Sequence, residues 1–258
     1  MPTEGRFHTD RARAESFGGV ADQYDRFRPS YPAALVDDLV ALHPADVLDI
    51  GCGTGKAARL LTERGLRVMG VEIDPKMAAV ARGHGIDVEV ASFEKWLAHD
   101  RHFDLITCAQ AWHWVDPAVA IPKAAALLRP AGTLALFWNY DQIQEPEQTA
   151  IDDVYREYAP ELLRSVVNGG SRQTDRPHVD DLVASGLFAS VRTVTYRWER
   201  TISSAEWVGL VGTHSDHLRL DAARRSTLLE ALGASIDALG GTVASNYGTY
   251  CAFARVAS

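Results

Sequence analysis

The residues with the most chemistry in them form one short run, Val47-Leu-Asp-Ile-Gly51-Cys-Gly53-Thr-Gly55-Lys-Ala-Ala-Arg-Leu-Leu61. An apolar, strand-like stretch enters three alternating glycines and leaves directly into a helical pattern. Glycine adopts backbone angles that a Cβ resists, and it lets a ligand approach the main chain closely. In an open parallel sheet such a loop lies at the carboxyl ends of the strands, where ligands bind. A phosphate-binding P-loop needs four residues between its first glycine and Gly-Lys, followed by Ser or Thr. Here three residues separate Gly51 from Gly55-Lys56, and Ala57 offers magnesium nothing. A dinucleotide fingerprint, G-x-G-x-x-G, needs its third glycine where this chain has Lys56.

The ligand class that remains is S-adenosylmethionine (SAM), whose sites use a shorter glycine loop preceded by an acid, here Asp49. Glu72 follows about 20 residues past the loop, at the end of the next apolar run, where an acid can accept both ribose hydroxyl hydrogens. Asp74-Pro75 reads as the cap and first residue of a helix rather than as a competing ribose ligand.

The elements that must position these groups alternate along the chain. Strands are expected at 46–50, 67–73, 87–90, 103–108 and 133–138, with helices at 32–42, 56–64, 76–82 and 119–128. That alternation indicates βαβ units and a parallel sheet covered on both faces. After Trp138 the pattern changes to helix and polar loop, including Asn168 to Ser171. Strands return at 191–198 and 250–256, with helix from about Ser204 to Leu239 between them. The expected fold is α/β, a Rossmann-like, mainly parallel seven-stranded sheet with flanking helices and a helical cap. Its divisions are an N-terminal leader and lid (1–30), a SAM-binding core (31–140), a helical cap or acceptor insertion (141–188) and a C-terminal part (189–258) completing sheet and cap.

Composition narrows the partners. Hydrophobic residues make up 47% and charged residues 23%, the balance of a globular protein. With 26 basic residues against 34 acidic ones, the net charge of -8 argues against a nucleic-acid footprint. Cys52, Cys108 and Cys251 stand far apart with no CxxC pair, so neither zinc nor a disulfide framework is indicated. No motif calls for a metal. The polar N-terminus lacks an apolar signal region and no run suits a bilayer, so a cytoplasmic protein is expected.

The chain resembles the class I SAM-dependent methyltransferases, and within them the small-molecule branch that includes trans-aconitate-type enzymes. VLDIGCGTGKAARLL, GVEIDPKM, FDLITCAQAWHWVD and LLRPAGTLAL carry the likeness, with YDRFRPSYP (24–32) ahead of the core. The resemblance implies a cofactor site of Asp49, Gly51, Cys52, Gly53, Thr54, Gly55 and Glu72. Ile73 and Met77 stand beside adenine or in the core. Ser92 replaces the usual adenine-binding acid, with the Phe93 amide beside it. Ala109 and Gln110 are suited to the SAM amino group, and Tyr24 or Arg28 to its carboxylate.

The same likeness puts Ala109 to Pro117 opposite the methyl-bearing sulfur. His113 reads equally as a base or orienting donor and as a structural histidine. Trp112 and Trp114 read as pocket wall or as core. Tyr31, Asn139, Tyr140, Trp207 and His214 stand on the acceptor side, together with Trp198, Thr213 and Tyr247, and suit a small, partly apolar acceptor. The implied activity is methyl transfer from SAM, with S-adenosylhomocysteine as product, to a carboxylate or hydroxyl first and natural-product carbon or nitrogen next. An NAD(P)-dependent oxidoreductase and a non-catalytic SAM-binding protein are the rival readings.

Overall fold

The computed structural model describes residues 15–162 and 176–257. The leader as far as Ala14 and the Asn168–Ser171 loop lie outside them. Seven strands form one sheet: β1 (Asp46–Ile50), β2 (Arg67–Glu72), β3 (Asp87–Val90), β4 (Phe103–Ala109), β5 (Leu128–Ile143), β6 (Ser190–Ser203) and β7 (Thr242–Arg255). Their order across the sheet is β3-β2-β1-β4-β5-β7-β6. β1 to β5 pair in parallel, and β7 runs antiparallel between β5 and β6. This is the expected mainly parallel sheet with its last strand reversed. Four of the five residues of β1 are buried, as a strand covered on both faces requires.

Helices α1 (Ala21–Phe27) and α2 (Ala33–Val40) precede β1, and α3 (Lys56–Thr62), α4 (Pro75–Gly83) and α5 (Pro117–Leu127) are crossovers within the parallel half. Their starts are locally encoded. Asp74 accepts from the Lys76 and Met77 amides ahead of α4, and Asp116 accepts from Ala118 ahead of α5, each with proline at the first turn. Leu35, Leu39, Leu61, Phe137 and Phe253 form the core on one face of the sheet. Leu48, Ile106, Leu134, Trp112 and Ile121 form it on the other.

A third core lies beyond the sheet. Helices α6 (Glu147–Tyr158), α8 (Ser204–Gly212) and α10 (Ala222–Asp237) bury Ile151, Tyr155, Trp207, Leu228 and Leu232 together, with the short α9 (Ser215–Leu218) alongside. The segment 141–188 therefore serves two places. Its α6 belongs to this cap, whereas α7 (Arg176–Ala184) sends Leu182 into the main core beside α5. β5 and β7 also run further than the apolar runs 133–138 and 250–256. Residues 139–143, mostly polar, pair with 245–249, so a ribbon of β5, β7 and β6 overhangs the parallel half. Among the described residues no helix is long and apolar enough to cross a membrane.

Candidate active site

The glycine loop joins β1 to α3 where the sheet's strand order reverses direction, between β1 and β4. Gly51, Gly53 and Gly55 have φ of 61°, 56° and 83°, the left-handed region that side chains resist. A Cβ on Gly51 would stand 2.6 Å from that of Ala111, so the loop and the segment after β4 touch backbone to side chain. The Cys52 side chain is buried with Ala58, Ala78 and Val88. A Cβ on Gly70 would lie 2.5 Å from its sulfur. Only the main chain of Cys52 faces the loop's concave side.

Two acids frame the loop. Glu72 ends β2 and is 7% exposed. Its Oε2 accepts from the Gly53 amide at 2.8 Å and its Oε1 from the Asp74 amide at 2.9 Å. Burial holds its pKa above the ordinary carboxylate range, against the pull of those amides. Asp74, the α4 cap, also accepts from Gly18 at 2.9 Å and so ties down the turn before α1. Asp49 is fully buried. Its Oδ1 accepts from the Thr107 hydroxyl at 2.7 Å, while Oδ2 has no partner among the described residues. Burial raises its pKa to about 7.

Around this frame, Met77 is buried and Ile73, four residues before it, is half-buried. The Ser92 hydroxyl is buried without a partner among the described residues, and Phe93 stacks on Trp96 at 6.4 Å between ring centres. Glu94 accepts from the Asp116 amide at 3.1 Å, which makes it part of the α5 start. After β4, Gln110 takes φ of 60°. Its amide donates to the Phe137 carbonyl at 2.9 Å and its side chain to the Asn139 carbonyl at 3.3 Å. A left-handed glutamine at a strand end is the kind of strain that concentrates at functional sites. His113 and Trp114 are half-buried, their rings 4.8 Å apart. Trp112 is 1% exposed and belongs to the main core.

Helix α1 closes over the loop. The Asp25 carboxylate meets Arg59 at 3.0 Å and His84 at 2.9 Å, and Lys56 donates to the Asp25 carbonyl at 2.6 Å. Phe17 bridges Tyr24 and Trp114 edge to face, at 5.8 and 6.3 Å. Arg28 lies over the Tyr24 ring and donates through Nε and Nη2 to the Thr213 hydroxyl and carbonyl, at 2.9 and 3.1 Å. Tyr24 feels both Arg28 and Glu72, and burial raises its pKa. Tyr31 packs edge-on against Phe137 at 4.9 Å. Asn139 donates to the Ser30 carbonyl at 3.0 Å and accepts from Thr249 at 2.6 Å, and Thr249 accepts from the Trp198 indole at 3.0 Å.

Tyr24, Arg28, Tyr31, Asn139 and Thr213 thus gather at the seam between loop, ribbon and cap. His214 joins that seam, held neutral by burial and by Arg28. Its ring stands 5.7 Å from His217, whose Nε2 meets the Tyr155 hydroxyl at 2.7 Å. Trp207 does not join it: it is 3% exposed inside the cap core. The Tyr140 ring covers Gly248 on the ribbon. Asp25, Thr107, Asp141 and Thr249 were not singled out from sequence, because each acts through a partner far along the chain.

The donor set fits SAM. A cradle of left-handed glycines leaves room for a ligand against the main chain, a buried acid stands at the end of β2, and the Asp49 Oδ2 and Ser92 Oγ atoms are orphaned among the described residues. Residues 48–136 match the family model described as a methyltransferase domain. An uncharacterized methyltransferase of Mycobacterium tuberculosis is 46% identical over 127 residues, 48% of this chain and 52% of that protein. A ubiquinone biosynthesis O-methyltransferase of Xanthomonas campestris is 31% identical over 151 residues, 52% of this chain and 62% of that protein. The chain spans about half the length of the curated relatives it matches. A solved structure, that of a candidate type II methyltransferase from Anaeromyxobacter dehalogenans, has the same fold with a TM-score of 0.64. It is 24% identical, covering 90% of this chain and 99% of that one. The matched segment runs from β1 into β5, so the part of the chain that is similar to a methyltransferase domain is the part that carries the glycine loop, Glu72 and Gln110.

Proposed function

We propose that this protein transfers a methyl group from SAM to a small-molecule acceptor, a carboxylate or hydroxyl oxygen first and a natural-product carbon or nitrogen next. The observation that carries the reading is the coupling of Glu72 to the glycine loop: its carboxylate holds the Gly53 amide and keeps lone pairs for a diol. SAM, when bound, supplies a methyl made electrophilic by its sulfonium. The chain's own part is to hold, align and dry. The backbone at Gly51, Gly53 and Gly55 accommodates the cofactor closely, Glu72 accepts from the ribose hydroxyls, and Arg28 or Tyr24 meets the carboxylate. Ala109 and Gln110 stand for the amino group, and Ser92 with the Phe93 amide for the adenine edge. Closing α1 over the loop excludes water, which strengthens every polar contact inside. His113 is the candidate base or orienting donor, beside Trp114.

The small-molecule reading draws support from the ubiquinone O-methyltransferase relative and from an acidic protein with half-buried aromatics at the seam. A cytoplasmic location remains part of the proposal. Isothermal titration with SAM, S-adenosylhomocysteine and NADH tests it. Expected are binding of the two adenosyl compounds, loss of that binding in Glu72→Ala, and no heat from NADH. Binding of NADH alone would return the chain to the oxidoreductases. SAM binding with no turnover on a broad acceptor panel would favour a non-catalytic SAM protein.

A further inference from the structure

Where β5, β7 and β6 overhang the parallel half, cross-strand partners share a face. One row is Asp141, Tyr247 and Trp198, and the next on the same face is Ile143, Ser245 and Arg200. Trp198 and Tyr247 stack at 4.3 Å, and Ile143 packs with Phe27 of α1 against the cap. This face therefore looks into the seam that Arg28 and Thr213 close from the other side.

Arg200 is the unexplained member of the row. The residue is half-buried and its guanidinium is within hydrogen-bond reach of the Tyr247 hydroxyl, but its Nη1 is shut off from solvent and has no hydrogen-bond partner among the described residues. Leaving a buried charged donor unpaired is costly. The surrounding charges do not account for it. Arg28 and Lys56 add two further cations nearby, already bonded to Thr213 and to the Asp25 carbonyl. The Asp25 carboxylate is taken by Arg59 and His84. Asp141 and the Tyr247 hydroxyl both stand in the field of Arg28 and Arg200, so one carboxylate faces two guanidinium groups. Glu206 also feels Arg200, but its carboxylate closes the capping box with Ser203.

We propose that Arg200, with Tyr247 beside it, anchors an anionic oxygen group of the acceptor, a carboxylate or a phosphate, at the end remote from the methylated atom. The inference rests on the methyl-transfer reading above and adds the substrate class and its specificity residue. A guanidinium presents a planar fork that matches such a group, and the stacked Trp198–Tyr247 pair supplies an apolar wall for the rest of the molecule. The cofactor's own carboxylate is the other source of the same chemistry, so the test is run with that source already in place.

The experiment is calorimetry on the full chain at low ionic strength. S-adenosylhomocysteine is titrated first, then succinate, uncharged succinamide and inorganic phosphate into the saturated protein. Expected is binding of succinate or phosphate but not of succinamide, with the better anion naming the group. Arg200→Met should weaken that binding about tenfold or more, the worth of one hydrogen bond to a charged group, while Arg200→Lys retains part of it. Unchanged S-adenosylhomocysteine affinity in Arg200→Met shows that the variant folds and that the cofactor's carboxylate is held elsewhere. If neither anion binds, or Arg200→Met binds it as wild type does, the proposal is overturned. It is overturned equally if Arg200→Met loses the adenosyl ligand while succinate and phosphate leave wild type silent. Failure of wild type to bind S-adenosylhomocysteine counts against the methyl-transfer reading instead, and the anion titrations, repeated without it, still decide the role of Arg200.

Discussion

Asp49 is a fully buried acid with one oxygen bonded to Thr107 and the other bonded to nothing among the described residues. Such a group binds its proton more tightly in the fold than in the unfolded chain, because burial penalises the charge. With the folded value at about 7 and the unfolded one at about 3.9, stability is lost as pH rises between the two. Replacement by Asn keeps the acceptor for Thr107 and removes the titration. Asp49→Asn should therefore gain on wild type as pH rises from about 5 to about 8, by up to about 3 kcal/mol. Urea melts of both proteins without cofactor check this, and parallel curves would show that Asp49 is stabilised in its charged form by something else. Gly51 allows a second check at the same scale. Gly51→Val meets both a left-handed φ and the Ala111 methyl. It should weaken SAM binding far more than Gly19→Ala, where an added Cβ meets nothing within 4 Å.

The same contrast separates what was legible in the chain from what was not. The glycine loop, the acid ending β2 and the Asp74-Pro75 cap are encoded within a few residues of where they act, and pattern reading finds such things. The boundaries of β1 and β3 also emerged, because short strand runs bounded by breakers can be read directly. The overhang of β5 and β7 did not, since residues 139–142 and 245–249 are mostly polar and are held by ladder bonds rather than by an apolar period. Nor did the clamp of Arg28 on Thr213, whose members lie 185 residues apart. Separations of that length leave no local trace in a single sequence. Helix α1 is a case in point: its Phe27 ring sits against Gly209 of α8, where any Cβ would come within 2.7 Å. Gly209→Val should push α1 off the cap without touching the loop. In hydrogen exchange the Arg28 amide, bonded to the Tyr24 carbonyl, should lose protection while amides in β1 and β4 keep theirs. Equal loss in both would mean that the lid and the core unfold as one unit.

At the scale of the molecule, the cap has its own core, and Trp207 is its largest anchor on α8. Trp207→Ala should cost about 3 to 5 kcal/mol, as for other buried aromatics cut to alanine. If the cap opens separately from the sheet, limited proteolysis will cut α8 to α10 at denaturant concentrations where near-ultraviolet signals from Trp112 persist. A single coincident transition would instead show one cooperative unit. The position of β7 has a consequence of another kind, in the order of synthesis. It is the last of the seven strands to leave the ribosome, yet it sits between β5 and β6 and pairs with both. Until residues 242–255 emerge, β5 presents an open edge and β6 has no neighbour in the sheet. The nascent chain must then wait with its parallel half assembled and its ribbon unmade, the interval in which exposed strand edges invite chaperones or one another.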